Sequence, residues 1–90
     1  MNADMIGGLA AILTTVSFLP QAVRVIRTND TAAISLSMYI LFTVGLVCWE
    51  VYGWMIGSAP VIAANLVTLA LAAVILTQKT RHVLAGRPRG

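Results

Sequence analysis

The spacing of charged residues constrains the fold of this chain more than any other feature. No charged residue lies between Asp4 and Arg24, between Asp30 and Glu50, or between Glu50 and Lys79. Each interval can hold the roughly 20 mostly apolar residues that a helix needs to cross a bilayer. The sequence therefore predicts three transmembrane helices, at about residues 5–27, 35–56 and 60–78, followed by a basic tail at 79–90.

Composition indicates a membrane protein without a soluble domain. Of the 90 residues, 59% are hydrophobic and 10% are charged, and the mean hydropathy is +0.89. Soluble domains are about 45–50% apolar and about 25% charged, and a small soluble domain has an especially large surface to cover with polar groups. We therefore expect an all-α membrane protein, a bundle of three transmembrane helices.

Polar and turn-forming residues mark the two connections between the predicted helices. The first, "RTNDTAAIS", is polar, and the second, "GSAP", is a tight break whose proline suits the first turn of a new helix. A cleaved signal peptide would carry basic residues before its apolar run. Here Asp4 precedes the run and Arg24 and Arg27 follow it, so we expect the first span to stay part of the protein.

The basic residues predict the orientation in the membrane. With three crossings they all fall on one side, at Arg24, Arg27, Lys79, Arg81, Arg87 and Arg89. Because loops rich in lysine and arginine face the cytoplasm, we expect a cytoplasmic C-terminus and an external N-terminus. The net charge of +3 then reflects topology and contact with acidic headgroups, and no nucleic-acid partner is expected.

The chemically reactive residues form no catalytic cluster. Cys48 is the single cysteine, and a small apolar role inside a helix is expected for it. His82 stands in the basic tail without cysteines or carboxylates nearby, so we expect a solvated side chain rather than a metal ligand. The sequence predicts neither an enzyme nor a bound metal or cofactor.

A stripe of residues on the second helix is the strongest candidate for a functional surface. At 100° per residue its members fall within an arc of about 80°; they are Met38, Phe42, Gly45, Trp49 and Tyr52. A packing seam between helices would produce the same stripe. Trp49, however, lies deeper than the interfacial belt that tryptophan prefers and that Trp54 fits.

Asn65 provides a polar partner for Trp49. The turn at Gly57 lies eight residues after Trp49 and eight before Asn65, so two antiparallel helices would bring both to one level. A buried amide must find a hydrogen bond, and a bond between helices would be the structural explanation. The apolar face of a sugar ring can instead lie on the indole while its hydroxyls bond the amide. This pair is therefore a candidate sugar site, and other polar neutral ligands would fit it too.

Three helices are too few to enclose a sugar, so a symmetric pair of chains around a site in the membrane midplane is expected.

Within the first helix, Pro20 leaves the Val16 carbonyl without its helical partner. Hydroxyl and amide groups on the same face, Thr14, Ser17 and Gln21, could satisfy freed backbone groups. The proline is either a static bend or a hinge that opens and closes a gate.

Four segments together resemble the SemiSWEET family, bacterial half-size relatives of SWEET sugar transporters and PQ-loop proteins. They are "LPQ", "SLSMYILF", Trp49 with Tyr52 and Gly53, and "AANLVTL", so the resemblance covers about residues 5–78. The resemblance implies a parallel homodimer in the bacterial plasma membrane that moves mono- or disaccharide passively by alternating access. It also implies site roles by position: hinge Pro20 and Gln21, sugar contacts Trp49 and Asn65, inner gate Phe42, Met38 and Tyr39, and outer gate Tyr52.

The segment after Tyr52 departs from the family pattern. Several relatives close the outer gate with an arginine and an aspartate there, whereas "GWMIGSAP" contains no charge. Glu50 lies about 100° around the helix from Trp49, so we expect it to face another helix or to extend toward the outer surface. A carrier of amino acids or other small polar solutes, with Glu50 as ligand partner, and a non-transporting membrane protein that only packs helices remain alternatives.

Overall fold

The computed structural model describes residues 2–86 and contains the three expected helices. They are α1, Ala3–Thr28; α2, Leu36–Ile56; and α3, Ala59–Leu84. Each is long and apolar enough to cross a membrane, which confirms the predicted all-α class. α3 continues beyond the predicted end at residue 78, so the first six residues of the predicted basic tail are helical, because no glycine or proline precedes Gly86 there.

Side-chain caps explain where the helices begin. Asn2, Ser35 and Ser58 each accept a hydrogen bond from the backbone N–H three residues later, which satisfies donors that have no partner inside the helix. Asn29 follows α1 and Gly57 follows α2 as C-terminal caps, both in the left-handed conformation that stops a helix. The helices therefore begin and end at the two connections that the turn-forming residues predicted.

α1 continues through Pro20 as one helix. The Thr14 hydroxyl donates to the Ala10 carbonyl at 2.9 Å, and the Ser17 hydroxyl donates to the Leu13 carbonyl at 2.7 Å. The accepting carbonyls of Ala10 and Leu13 both precede the carbonyl of Val16, the one that the proline leaves without an N–H. The expectation that these hydroxyls compensate for the proline was therefore wrong, because each reaches its own preceding turn first.

α3 lies between the other two helices, so the spatial order differs from the chain order. Within residues 2–86, α1 and α2 each pack along α3 and their backbones do not pack against each other. Gly53 allows α2 to approach α3 closely, since a Cβ built there would lie 3.0 Å from Val61 Cγ1 and 3.3 Å from Ile62 Cγ1. The described residues form a slab with principal-axis extents of 48 × 23 × 15 Å.

A clasp of polar side chains fastens the end of α1 and the α1–α2 connection to α3. Thr31 and His82 are 0% and 6% exposed, and the Thr31 hydroxyl lies 2.7 Å from His82 Nδ1. The Lys79 ammonium donates to the Thr31 carbonyl at 3.1 Å, and the Gln78 amide donates to the Ile26 carbonyl at 3.1 Å. The expected solvation of His82 was wrong, because the helical extension of α3 carries this side chain against the connection.

Candidate functional site

A cavity of about 770 Å³ opens between the three helices. Residues of all three helices line it, and it lies where the backbones of α1 and α2 pack on α3 but not on each other. Small residues form much of its wall, so space is left for a ligand. Its lining comprises Gly7, Ala10, Ala11, Thr14, Thr15, Phe18, Phe42, Gly45, Leu46, Trp49, Val61, Ala64, Asn65 and Thr68. We refer to it as the central cavity.

Trp49 and Asn65, the two residues predicted to meet a ligand, both line the central cavity. The Trp49 ring is 56% exposed and stands edge-on to Tyr52, with 5.3 Å between ring centroids and 86° between planes. Asn65 is partly buried. Within residues 2–86 its amide forms no side-chain hydrogen bond. The bond between helices, which was the structural alternative to a ligand site, is thus not formed within these residues, and the amide can donate and accept toward the cavity.

Polar groups elsewhere in the central cavity are few. The Thr68 hydroxyl donates to the Ala64 carbonyl at 3.0 Å, and the Thr14 hydroxyl donates to the Ala10 carbonyl. Both hydroxyls are therefore occupied as donors by their own helix, although each oxygen can still accept. No charged side chain of residues 2–86 lines this cavity, so its chemistry suits a neutral ligand with hydroxyl groups.

Two phenylalanine rings separate the central cavity from a second cavity. Phe18 and Phe42 approach to 6.0 Å between ring centroids, and Tyr39 stands edge-on to Phe42 at 5.6 Å. Both phenylalanines line the central cavity and also a cavity of about 490 Å³. That second cavity, here called the inner cavity, lies beside the connection between α1 and α2 and contains Gln21, Arg24, Met38 and Tyr39.

The predicted inner-gate residues therefore lie together, at the boundary and in the inner cavity. Tyr39 is buried, whereas Met38 is exposed. Phe18 was not identified from the sequence. Its position one half-turn before Pro20 was the available signal, because a bulky ring beside a break in the helical hydrogen bonding is placed where α1 can bend. Gln21 lines the inner cavity. Pro20 lies in the chain between Phe18 and Gln21.

The outer part of α2 carries two aromatic arrangements. Tyr52, the predicted outer-gate residue, shares a shallow recess of about 380 Å³ with Gly45, Cys48 and Trp49. On another face, Glu50 is 9% exposed and accepts a hydrogen bond of 2.8 Å from Trp54 Nε1. Glu50 lines neither the central nor the inner cavity. The carboxylate is held by an indole on its own helix, and its other oxygen, Oε1, has no partner within residues 2–86.

Potential metal-binding side chains are not clustered in the described part of the chain. Between residues 2 and 86 no three histidine, cysteine or acidic side chains are grouped as a metal site would require.

Comparison with known sequences places the chain among small membrane transporters. The profile of the PQ loop repeat family matches residues 3–60. A protein named sugar transporter SemiSWEET from Leptospira biflexa is 51% identical over 76 residues, which are 84% of this chain and 89% of that protein. Proteins of the same name from Bradyrhizobium diazoefficiens and Escherichia coli are 44% and 46% identical, covering 87% and 92% of this chain and 91% and 100% of their own lengths.

Solved structures agree with the sequence comparison. The crystal structure of SemiSWEET in the inward-open conformation superposes with a TM-score of 0.84 at 40% identity, covering 91% of this chain and 95% of that one. The crystal structure of a bacterial homologue of SWEET transporters gives a TM-score of 0.72 at 37% identity, covering 88% and 95%. The similarity thus extends over all three helices.

Proposed function

We propose, from the premise that this chain belongs to the PQ-loop repeat family and to its SemiSWEET members, that it transports sugar passively across a membrane. The relatives named above are sugar transporters by name. A site with an aromatic ring and an amide fits the binding of a transported solute better than the catalysis of a reaction. The observation that carries the proposal is the presence of Trp49 and Asn65 on one cavity.

The two side chains offer complementary contacts to a sugar. An indole face covers the apolar C–H face of a pyranose, and an amide both donates to and accepts from ring hydroxyls. Because no charged side chain of residues 2–86 lines the central cavity, a carrier of amino acids is disfavoured: its ligand would bury an ammonium and a carboxylate without partners. Glu50, the one acidic candidate, is bonded to Trp54 away from the cavity.

A second copy of the chain completes the transport path in this proposal. The slab is 15 Å thick in its shortest dimension, so one protomer lines a groove rather than a closed chamber. A parallel homodimer related by a two-fold axis would place two Trp49 and two Asn65 around one vestibule. The exposed apolar stripe of α2, with Met38, Phe42 and Trp49, would then face the partner or the ligand.

Alternating access would use the two cavities in turn. Phe18 and Phe42 form the boundary between the central and inner cavities, and Pro20 lies just beyond Phe18 in the chain. Bending of α1 at Pro20 would move the Phe18 ring relative to Phe42 and open the boundary. Tyr52, in edge-on contact with Trp49, would close the outer side. The basic residues would face the cytoplasm of a bacterial cell, with the N-terminus outside.

Uptake into proteoliposomes tests this function directly. Purified protein is reconstituted, and entry of radiolabelled glucose and sucrose is followed without an ion gradient. Trp49→Ala and Asn65→Ala are expected to lose most uptake. Val51→Ala and Leu66→Ala are matched controls, since both side chains are exposed, lie near the tested residues in sequence and do not line the cavity.

Two results would overturn the proposal. Absence of sugar uptake by the parent protein, with uptake of labelled amino acids instead, would favour the amino-acid carrier. Uptake of neither, from protein that is folded by circular dichroism, would favour a helix-packing role. If the parent carries sugar but both site variants match the controls, the transporter stands and the Trp49–Asn65 site is wrong.

A further inference from the structure

We propose that the ends of α1 and α3 beside the clasp form a binding pocket for a phosphate-bearing anion, and that the anion is the headgroup of an acidic membrane lipid. The pocket encloses about 340 Å³ and is lined by Asn29, Gln78, Arg81, His82 and Ala85. It is separate from the central and inner cavities, whose linings share none of these residues. The inference is independent of the transported substrate.

The hydrogen-bonding groups of this pocket are only partly used. Arg81 is exposed, and its guanidinium can bind a phosphate through two parallel hydrogen bonds. His82 directs Nδ1 to Thr31, which leaves Nε2 for another partner. Gln78 Oε1 is buried and has no partner within residues 2–86. Phosphatidylglycerol has a headgroup with both groups needed: its phosphate would accept from the Arg81 guanidinium, and its hydroxyl would donate to Gln78 Oε1.

A buried cation near the pocket is a second, independent argument for an anion. Lys79 is 9% exposed, and within residues 2–86 its ammonium has one partner, the neutral carbonyl of Thr31. A buried charge without a counter-charge is unfavourable. Asp30 is the one acidic residue in the connection, and it is exposed and accepts from the Ala32 N–H. Lys79 itself does not line the pocket, but its chain neighbour Gln78 does, so a phosphate there would supply negative charge near the ammonium.

The depth of the pocket favours a lipid over a soluble anion. α3 has 26 residues and is therefore about 39 Å long at 1.5 Å per residue, whereas the hydrocarbon core is about 30 Å thick. The turn that contains Arg81 and His82 thus lies at headgroup level. Leu84, which precedes the lining residue Ala85 in the chain, is largely exposed and offers an apolar surface to acyl chains. Basic pockets between transmembrane helices at this level commonly hold acidic headgroups.

Thermal unfolding with defined lipids tests the pocket. The full-length protein in a neutral detergent is melted, by circular dichroism, with added phosphatidylglycerol, with phosphatidylcholine, or with glycerol 3-phosphate at constant ionic strength. Phosphatidylglycerol should raise Tm, and the other two should not. Arg81→Gln should abolish the rise without changing Tm in detergent alone, because the Arg81 side chain is exposed. Arg24→Gln, which removes one charge from the inner cavity at the same end, should retain it.

The alternatives give different patterns. An equal rise with phosphatidylcholine, or an equal loss of the rise in both arginine variants, would mean unspecific attraction and would overturn the pocket. A rise with glycerol 3-phosphate alone would mean a soluble phosphate ligand and would overturn the lipid assignment. Lipid that co-purifies from the membrane is a second readout: phosphatidylglycerol should be enriched with the parent and with Arg24→Gln, and depleted with Arg81→Gln.

Discussion

The rings of Phe18 and Phe42 meet with 6.0 Å between their centroids, although α1 and α2 do not pack against each other elsewhere through their backbones within residues 2–86. This aromatic contact bridges two helices whose backbones pack against α3 and not against each other. It also stands between the central and inner cavities. We propose that this contact controls passage between the two cavities.

Removal of the Phe18 ring should open the boundary between the cavities. An aromatic pair contributes about 0.5–1.5 kcal/mol beyond its buried area, so Phe18→Ala should speed access from the inner side by about two- to tenfold. The measurement is the labelling rate of Thr15→Cys, a central-cavity position, by an impermeant thiol reagent in inside-out vesicles, on a Cys48→Ala background. Leu19→Ala, which removes a neighbouring side chain of α1 that lines neither cavity, is the control. Equal labelling in all three proteins would contradict a role as a boundary.

Substitution of Pro20 should separate transport rate from sugar affinity. In Pro20→Ala the restored N–H can bond the Val16 carbonyl, and a helix interior without proline is more stable by about 3 kcal/mol, which should resist bending. Sugar uptake in proteoliposomes should slow, while equilibrium binding, followed by quenching of tryptophan fluorescence, should change little. A parallel loss of both would indicate that the proline shapes the site, and unchanged transport would make it a static bend.

Side chains at Gly53 should force α2 and α3 apart. Gly53→Leu adds a side chain where a Cβ alone already meets Val61 Cγ1 at 3.0 Å, and overpacking costs about 1–3 kcal/mol. Gly7→Leu is the control, because a Cβ there meets no atom within 4 Å and leucine favours the helix. Tm by circular dichroism should fall for Gly53→Leu and not for Gly7→Leu. A rise in both would show that helix propensity outweighs the close approach.

Glu50 is expected to anchor Trp54 rather than to move protons. Glu50→Gln keeps an oxygen that can accept from Trp54 Nε1, so sugar uptake should remain close to that of the parent. Glu50→Ala removes this acceptor and should change the emission of Trp54, measured in a Trp49→Phe background. Uptake by the parent that is driven by an imposed proton gradient, and lost in Glu50→Gln, would contradict the anchoring role.

The clasp should contribute measurably to stability. A buried hydrogen bond contributes about 0.5–1.5 kcal/mol net, so Thr31→Val and His82→Leu should show a coupling energy of this size in a double-mutant cycle. The cycle subtracts the other contacts of Thr31 and His82, and the free energy of unfolding is measured by denaturation in detergent. Additive effects of the two substitutions would show that the 2.7 Å contact is energetically neutral.

Local patterns were sufficient to predict the helices and part of the cavity. Charge-free runs located all three spans, and helical periodicity with the turn at Gly57 brought Trp49 and Asn65 to one cavity, where the structure places both. These inferences succeeded because each depends on one helix or on one tight turn. The roles of Trp49 and Asn65 in ligand binding stay predictions.

The remaining features depend on which faces of the helices meet, and only the tertiary structure decided them. It placed α3 between α1 and α2, brought Phe18 to Phe42, turned Glu50 to Trp54, and buried His82 against Thr31. The physical reason lies in the solvent. In a soluble protein the apolar face of a helix must be buried. In a bilayer an apolar face is as stable in contact with lipid as in contact with protein, so helix pairing depends on close packing and a few polar contacts. The sequence by itself therefore determined that three helices cross the membrane, and the packing of specific side chains determined how they are arranged.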